Sequence, residues 1–119
     1  MEQKYSKENI ITHTYDLLLY IIPQLSKYPR SQKFLLADKI QLKLMDVLET
    51  FIQAYYASHP REKRDLLKTA NIYLEQLRYW IRLSKDLKCI NLKQYEHIQK
   101  RINDIGKQCG GWLKILSKS

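Results

Sequence analysis

Apolar residues recur every three or four positions along most of the chain, which is the spacing of one face of an α-helix. Pro29 and Pro60 separate the first three such segments, and Asn91 precedes the fourth. Leucine occurs eighteen times and valine once, which favours helices because leucine loses little rotamer freedom in them. The pattern therefore predicts an all-α fold with helices at about residues 7–27, 31–58, 60–88 and 91–116.

The apolar stripe of each predicted helix identifies the side chains expected in a core. The stripes of the first two helices are Ile10, Tyr15, Leu18, Leu19, Ile22 and Leu25, and then Phe34, Leu35, Ile40, Leu44, Val47, Leu48, Phe51, Ile52 and Tyr55. Those of the last two are Leu67, Ala70, Tyr73, Leu74, Leu77, Trp80, Ile81 and Leu87, and then Tyr95, Ile98, Ile102, Ile105, Cys109, Trp112, Leu113 and Leu116. Since long helices with short connections favour antiparallel neighbours, we predict one domain over residues 1–119, an up-down-up-down antiparallel four-helix bundle.

Three of the predicted helices have residues near their starts that suit the first turn of a helix. Pro60 suits the first position of a helix, where its missing N–H has no intrahelical partner. Ser31 can accept a hydrogen bond from a free amide at the start of the second helix. Asn91 and Gln94 have the spacing of a capping box at the start of the fourth.

Positive charge is concentrated in the second half of the sequence. The chain has 21 Lys and Arg against 12 Asp and Glu, a net charge of +9. Residues 1–59 carry seven cations and six anions, whereas residues 60–119 carry fourteen and six. The last two helices therefore form a basic surface, which favours an acidic partner such as nucleic acid or an anionic protein face.

Membrane insertion and export do not fit the sequence. No uncharged stretch approaches the roughly 20 apolar residues that a spanning helix needs. Glu2, Lys4, Lys7 and Glu8 occupy the N-terminus in place of the basic and then apolar run of a signal peptide. Cys89 and Cys109 are therefore expected to be reduced, as in a cytoplasmic protein.

The residue types that metal and nucleophilic chemistry need are not spaced for it. A dinuclear metal bundle uses Glu-x-x-His pairs, but none of the three histidines has a Glu three positions before it. The two cysteines lie twenty residues apart, without the partner pair of a zinc site. Gly110-Gly111 lies within a helical pattern instead of following a strand, so it is no phosphate loop. We therefore expect no metal, no cofactor and no enzymatic activity.

Basic side chains on the last two predicted helices are the candidate binding residues. Arg78, Arg82 and Lys85 are spaced to lie on one ridge of the third helix, and Arg78 and Arg82 flank Tyr79-Trp80. Glu75 is the only carboxylate within reach on that helix, so we expect the ridge not to be neutralised. The second basic edge, on the fourth helix, consists of Lys100, Arg101, Lys107 and Lys114. These cations form either an ordinary solvated face or a surface that follows a phosphate backbone without selecting bases.

Two successive glycines near the end of the fourth predicted helix are unusual, because glycine costs up to about 1 kcal/mol relative to alanine inside a helix. One interpretation of Gly110, Gly111 and Trp112 is a frayed C-terminus. The other is an interface between subunits, where a neighbouring backbone approaches the glycines and Trp112 fills the space beside it. The surplus of aromatic residues at Tyr55-Tyr56 and Tyr79-Trp80 also favours self-association.

Four segments of the sequence resemble one known family. They are Tyr-Pro-Arg-Ser-Gln-Lys-Phe at 28–34, Glu-Thr-Phe-Ile-Gln-Ala-Tyr-Tyr at 49–56, Ala-Asn-Ile-Tyr-Leu-Glu-Gln-Leu-Arg-Tyr-Trp-Ile-Arg-Leu at 70–83, and Ile-Gly-Lys-Gln-Cys-Gly-Gly-Trp-Leu-Lys at 105–114. In this order they resemble the accessory variability determinant (Avd) proteins of diversity-generating retroelements, over nearly all of residues 15–114. The related bundle proteins of ribosomal RNA intervening sequences carry an Asn-Ile-Ala-Glu-Gly segment, which this chain does not have.

The resemblance implies a function as well as a fold. Avd proteins are four-helix bundles that form a basic homopentameric barrel, bind the element's reverse transcriptase and bind nucleic acid, without being enzymes. Arg78 and Arg82 match the basic pair of the family implicated in these contacts. The resemblance therefore implies a retroelement accessory protein. The alternative is an RNA-binding or scaffolding bundle of the intervening-sequence type, without a reverse transcriptase partner.

Overall fold

Four helices account for nearly all of the computed structural model, which describes the backbone of residues 2–118 and the side chains of residues 9–118. Helix α1 spans Glu2–Leu25, and α2 runs from 30 to 56 as three consecutive segments, Arg30–Gln32, Lys33–Ala37 and Asp38–Tyr56. Helix α3 spans Pro60–Asp86, and α4 spans Leu92–Ser117. Residues 2–118 contain no strand, so the all-α prediction is confirmed. Residues 1 and 119 of the predicted domain lie outside the described part of the chain.

The helices alternate in direction around the bundle. Along α1 and α4 the contacting residues run in opposite order, since His13 meets Gln108 whereas Tyr20 meets His97. The same reversal holds for α2 with α3 and for α3 with α4, in the contacts of Lys39 with Trp80, Lys43 with Tyr73, Arg64 with Leu116, and Lys85 with Tyr95. The antiparallel up-down-up-down four-helix bundle predicted from the sequence is confirmed.

A continuous apolar core runs along the bundle axis, where Trp112 and Phe51 are the largest fully buried side chains. Every residue of the predicted stripe of α4 is buried or packed against this core. The stripe of α3 is also confirmed except at its end, where Leu87 is exposed. Both helices alternate apolar and charged residues clearly, so their sequence pattern determines which face is buried.

In α1 the predicted buried face is wrong at three positions. The exposed side chains are Tyr15, Leu19 and Ile22, and Leu17 and Ile21 are buried instead. Residues 17–22 are apolar or aromatic throughout, so their periodicity does not distinguish one face from another. Thr14 lies on the true core face and donates a hydrogen bond from its hydroxyl to the carbonyl of Ile10 at 2.7 Å. A polar residue in the core therefore obscured the stripe.

The start of α2 also departs from the prediction. The segment Lys33–Ala37 is a π-helix, whose wider turn changes the register of the following side chains. Phe34 and Leu35, expected in the core, are 74% and 76% exposed. Leu36 and Ala37 are buried in their place. The π-helical turn thus places Leu36 and Ala37 in the core and leaves Phe34 and Leu35 at the surface.

Two of the three predicted helix starts are confirmed. Helix α3 begins at Pro60, and Asn91 and Gln94 form both 2.8 Å hydrogen bonds of a capping box at the start of α4. Ser31 does not cap α2, because Pro29 occupies the capping position and no side chain bonds there. The helix begins at Arg30, one residue before the predicted start.

Lys88 ends α3 in a conformation that glycine adopts more easily. Its φ is +64°, the left-handed region that disfavours a residue with a Cβ. The amide of Cys89 donates to the carbonyl of Ser84 at 2.8 Å, and that of Lys88 to Lys85 at 2.9 Å, the bonding pattern of a Schellman motif. The turn that joins α3 to α4 therefore contains a strained residue.

We predict that Lys88→Gly stabilises the protein by roughly 1 kcal/mol, because glycine removes the Cβ strain at this position. Urea unfolding followed by circular dichroism measures the change. Lys88→Ala is the control, since it removes the same charge but keeps the Cβ, and it should give no comparable gain. Equal stabilities of the two variants would contradict the strain argument.

Candidate nucleic-acid interface

The outer surface of α4 carries a row of four exposed lysines. Lys100, Lys107 and Lys114, predicted from the sequence, continue a seven-residue spacing that begins at Lys93. At 1.5 Å per residue the four positions span roughly 31 Å. Within residues 9–118 none of them forms an ion pair or a side-chain hydrogen bond. We call these four residues the lysine ridge.

Sequence analysis missed Lys93 although the seven-residue spacing includes it. The lysine lies in the first turn of α4, where a cation is unfavourable beside the positive end of the helix dipole. Such a position favours a ligand that brings negative charge. The residue seven positions before Lys100 is Lys93, so continuing the seven-residue spacing towards the N-terminus would have identified it.

Arg78 connects α3 to α4 through several hydrogen bonds. Its Nε donates to Oδ1 of Asn103 at 2.8 Å, and its Nη1 donates to Oε1 of Glu75 at 2.9 Å. Its backbone carbonyl accepts a hydrogen bond from Nε2 of Gln99 at 3.0 Å. The guanidinium is therefore held across the groove between the two helices, with about 30% of the side chain exposed.

The ion pair with Glu75 corrects one expectation from the sequence. The ridge of α3 was expected to keep its full charge, but Glu75 and Arg78 form a pair at an i, i+3 spacing. Pairs of this kind are worth only a few tenths of a kcal/mol on an exposed helix. They nevertheless offset the charge that a phosphate would meet. The pair therefore makes Arg78 less available to an anion than its position in the sequence suggests.

Arg82 and Lys85 have different surroundings from Arg78. Arg82 is exposed and makes no hydrogen bond or ion pair with any residue among 9–118. The ammonium of Lys85 lies 4.6 Å from the centre of the Tyr95 ring and 3.5 Å from Oδ1 of Asp86. Arg82 is thus the free cation of the predicted α3 ridge.

Gly106 is a second residue of this region that sequence analysis did not single out. A Cβ built on it would lie 2.8 Å from Nη2 of Arg78, closer than side chains tolerate. The absence of a side chain on this turn of α4 lets the guanidinium lie against the helix. Only the packing of α3 on α4 reveals this role, since the glycine and the arginine are far apart in sequence.

Arg101 faces the opposite side of α4 from Arg78. Its guanidinium lies 5.6 Å from the centre of the Tyr20 ring, and it lines a cleft of about 420 Å³ between α1 and α4 together with His13 and Lys107. The seven predicted cations therefore divide among the α3/α4 groove, the lysine ridge and the α1/α4 cleft. They surround α4 instead of forming one flat patch.

The side chain of Trp112 is buried within its own chain. Only 1% of it is exposed, and it packs in the core of its own chain. Gly110 and Gly111 are exposed, and a Cβ on either would have no atom within 4 Å. Helix α4 continues past them to Ser117. Among the described residues nothing lies near the Cβ positions of the two glycines, and the interface at Gly110, Gly111 and Trp112 stays a prediction.

The ionisable groups with perturbed pKa values lie in or beside the core and away from these cations. Burial raises the pKa of the Cys109 thiol to about 12, and burial also raises the pKa of Cys89. Burial raises the pKa of Tyr28, an effect that a hydrogen bond with Ser84 partly offsets. Thiols with raised pKa values are protonated at neutral pH and are poor nucleophiles.

Residues 9–118 contain no group of three or more His, Cys, Asp or Glu side chains placed to hold a metal ion. Between residues 2 and 118, no helix combines the length and apolar character needed to cross a bilayer.

The fold and the distribution of cations define a basic antiparallel four-helix-bundle protein. The chain belongs to the bAvd-like family, which it matches over residues 6–116, and the resemblance to Avd proteins is thereby confirmed. No curated protein matches the sequence significantly.

A solved structure shares the fold. It is the crystal structure of a protein of unknown function from the S23 ribosomal protein family of Bacteroides thetaiotaomicron VPI-5482. The TM-score is 0.84 at 18% sequence identity, over 92% of this chain and 98% of that one.

We predict that Arg78→Ala destabilises the protein by about 1 kcal/mol, because it leaves Asn103 without its partner across the α3/α4 groove. Arg82→Ala, the matched control, should change the unfolding free energy by less than about 0.5 kcal/mol. Urea unfolding measures both variants. Arg78→Ala should also cost less when Asn103→Ala is already present, since the shared hydrogen bond is then absent. Identical costs in the two backgrounds would show that this bond contributes nothing.

Proposed function

We propose that this protein is a non-enzymatic accessory protein of a diversity-generating retroelement. It binds the element's reverse transcriptase and nucleic acid in the cytoplasm and supports mutagenic retrohoming. The observation that carries the proposal is a set of exposed cations without an ion pair among the described residues, in a chain of the bAvd-like family: Arg82, Lys93, Lys100, Lys107 and Lys114. The binding surface comprises Arg78, Arg82, Lys85, Lys100, Arg101, Lys107 and Lys114, with Lys93 added from the structure.

The lysine ridge supports the nucleic-acid part of the proposal. Exposed lysines in a row neutralise successive phosphates and release the counterions condensed on them, which gives affinity without base selection. None of its lysines forms an ion pair among the described residues, so no bond within the chain has to break before they contact phosphates. Binding of this kind is strong in dilute salt and weak in concentrated salt.

The reverse transcriptase part rests on family membership and on Arg78 and Arg82. Arg82 projects an unpaired guanidinium, a group that binds carboxylates and phosphates in two-pronged geometry. An acidic face of a polymerase fits the same surface as nucleic acid does. The second candidate function, an RNA-binding bundle without a polymerase partner, is favoured by the fold shared with the S23-family protein.

We predict that nucleic-acid affinity falls steeply with salt and that the ridge sets much of the slope. Replacing Lys100, Lys107 and Lys114 by Gln should lower the slope of log K against log salt by about 2.7 on duplex DNA and about 2.1 on single strands. The control replaces Lys27, Arg30 and Lys33 by Gln, which removes equal charge from exposed positions at the turn between α1 and α2. Fluorescence anisotropy at several salt concentrations provides the slopes.

Co-purification with a reverse transcriptase separates the two candidate functions. The parent protein should co-purify with a reverse transcriptase encoded beside it, next to a template repeat and a variable repeat. RNA binding without such a neighbour or such co-purification would favour the intervening-sequence type of bundle. A salt-independent affinity, or a control variant as weak as the ridge variant, would refute the proposed surface.

We further propose that the protein is a homo-oligomer, a pentamer by analogy with the family, in which Gly110 and Gly111 lie at the contact. Five chains of 14.3 kDa give a mass of roughly 72 kDa by light scattering. Gly110→Ala and Gly111→Ala should each stabilise the isolated fold by up to about 1 kcal/mol, since a Cβ has open space there.

If another subunit approaches these glycines, the same substitutions should weaken the assembly and shift the mass towards one chain. Ser117→Ala, on the same exposed side of α4, is the control and should leave the mass unchanged. A parent mass of one chain would contradict the oligomer, and an unchanged mass in both glycine variants would remove the glycines from the interface.

A further inference from the structure

A narrow cleft of about 330 Å³ opens on the surface between α3 and α4. Its walls carry two tyrosines, two carboxamides and two guanidiniums: Tyr79, Tyr95, Gln99, Asn103, Arg78 and Arg82. Its volume is at the small end of the roughly 300–1,000 Å³ of small-ligand sites. The cleft therefore has room for one small group.

Both carboxamides of the cleft keep one polar atom available. Asn103 accepts from Arg78 Nε through Oδ1, and Gln99 donates to the Arg78 carbonyl through Nε2. Those two bonds fix which end of each amide is oxygen and which is nitrogen. Nδ2 of Asn103 remains as a donor and Oε1 of Gln99 as an acceptor, with no hydrogen bond to a residue among 9–118. Arg78 thus positions one donor and one acceptor.

The aromatic walls offer a surface for stacking. Tyr79 is 59% exposed and lies three residues before the unpaired Arg82 on α3, so both side chains project on the same side of the helix. A phenol ring and a planar guanidinium stack well on flat heterocycles. Tyr95 lies opposite, on α4, with one face covered by Lys85 at 4.6 Å.

The cleft carries less unpaired positive charge than the lysine ridge does. Glu75 also lines it and pairs with Arg78, so the carboxylate and the guanidinium offset each other. Arg82 is left as the one unpaired charge among the described lining residues. The lysine ridge, which lies outside the cleft, carries four such unpaired charges and is the stronger site for phosphates. The cleft itself suits an uncharged flat group with hydrogen-bonding edges.

We propose that this cleft binds one unpaired nucleobase of a single-stranded nucleic acid whose backbone contacts the lysine ridge. The inference rests on the proposed nucleic-acid function and adds a preference for single strands, because bases in a duplex are stacked and paired and cannot enter. Tyr79 stacks on the base, and Asn103 and Gln99 meet its edge. Arg78 acts as a positioning residue, since it hydrogen-bonds both amides.

The test compares a short single-stranded oligonucleotide with an abasic strand of equal length and charge. The parent protein should bind the strand that carries bases more tightly. Tyr79→Ala should weaken that binding roughly 5- to 150-fold, the range that loss of one stacked base gives, and should leave abasic binding and the salt slope unchanged. Tyr79→Phe keeps the ring and should retain the affinity. Tyr15→Ala is the matched control, because Tyr15 is 52% exposed on α1.

Three other results would contradict the inference in different ways. Equal parental affinity for the two strands, or an unaffected Tyr79→Ala variant of native circular dichroism, would overturn base binding while leaving the phosphate surface intact. Weaker reverse transcriptase binding by Tyr79→Ala, with strand binding intact, would assign the cleft to the protein partner instead. No binding of either strand by the parent would overturn the proposed nucleic-acid function together with this inference.

Discussion

The hydrogen bonds of Arg78 determine which side chains remain available on the α3/α4 side of the bundle. The guanidinium joins Glu75 to Asn103, and the backbone carbonyl fixes Gln99. This leaves Arg82 as an unpaired cation and orients the two amides outward. Gly106 makes the arrangement possible, because a side chain at that position would meet the guanidinium. A single arginine thereby connects helix packing with the chemistry of the surface.

The inner faces of the helices stabilise the fold, whereas the outer faces of α3 and α4 carry the candidate binding residues. Burial of the apolar stripes fixes the orientation of all four helices, and what the stripes leave outside on α3 and α4 is strongly basic. The lysine ridge supplies phosphate attraction along about 31 Å of α4, whereas the α3/α4 cleft has one ion pair, the unpaired Arg82 and planar groups. A strand that lies along the ridge can therefore place a base in the cleft without competition between the two kinds of contact.

Sequence periodicity predicted the fold and the cations but not their partners. The buried face of α4 follows from a clean alternation of apolar and charged residues, and the capping box of Asn91 and Gln94 follows from local spacing. The apolar run in α1 and the π-helical turn before Asp38 left more than one register open, and tertiary packing decided between them. The bonds from Arg78 to Asn103 and Gln99 join residues more than twenty positions apart, so only the packing of α3 on α4 could reveal them.

The central claim is that nucleic acid lies along the lysine ridge of α4, and lysine footprinting tests it most directly. The protein is acylated with and without a bound single strand, and the modification of each lysine is quantified by mass spectrometry. The account predicts that Lys93, Lys100, Lys107 and Lys114 are protected by the strand, while Lys27 and Lys33 at the turn between α1 and α2 react as they do in the free protein. Protection of Lys27 and Lys33 with an unchanged lysine ridge would contradict the account.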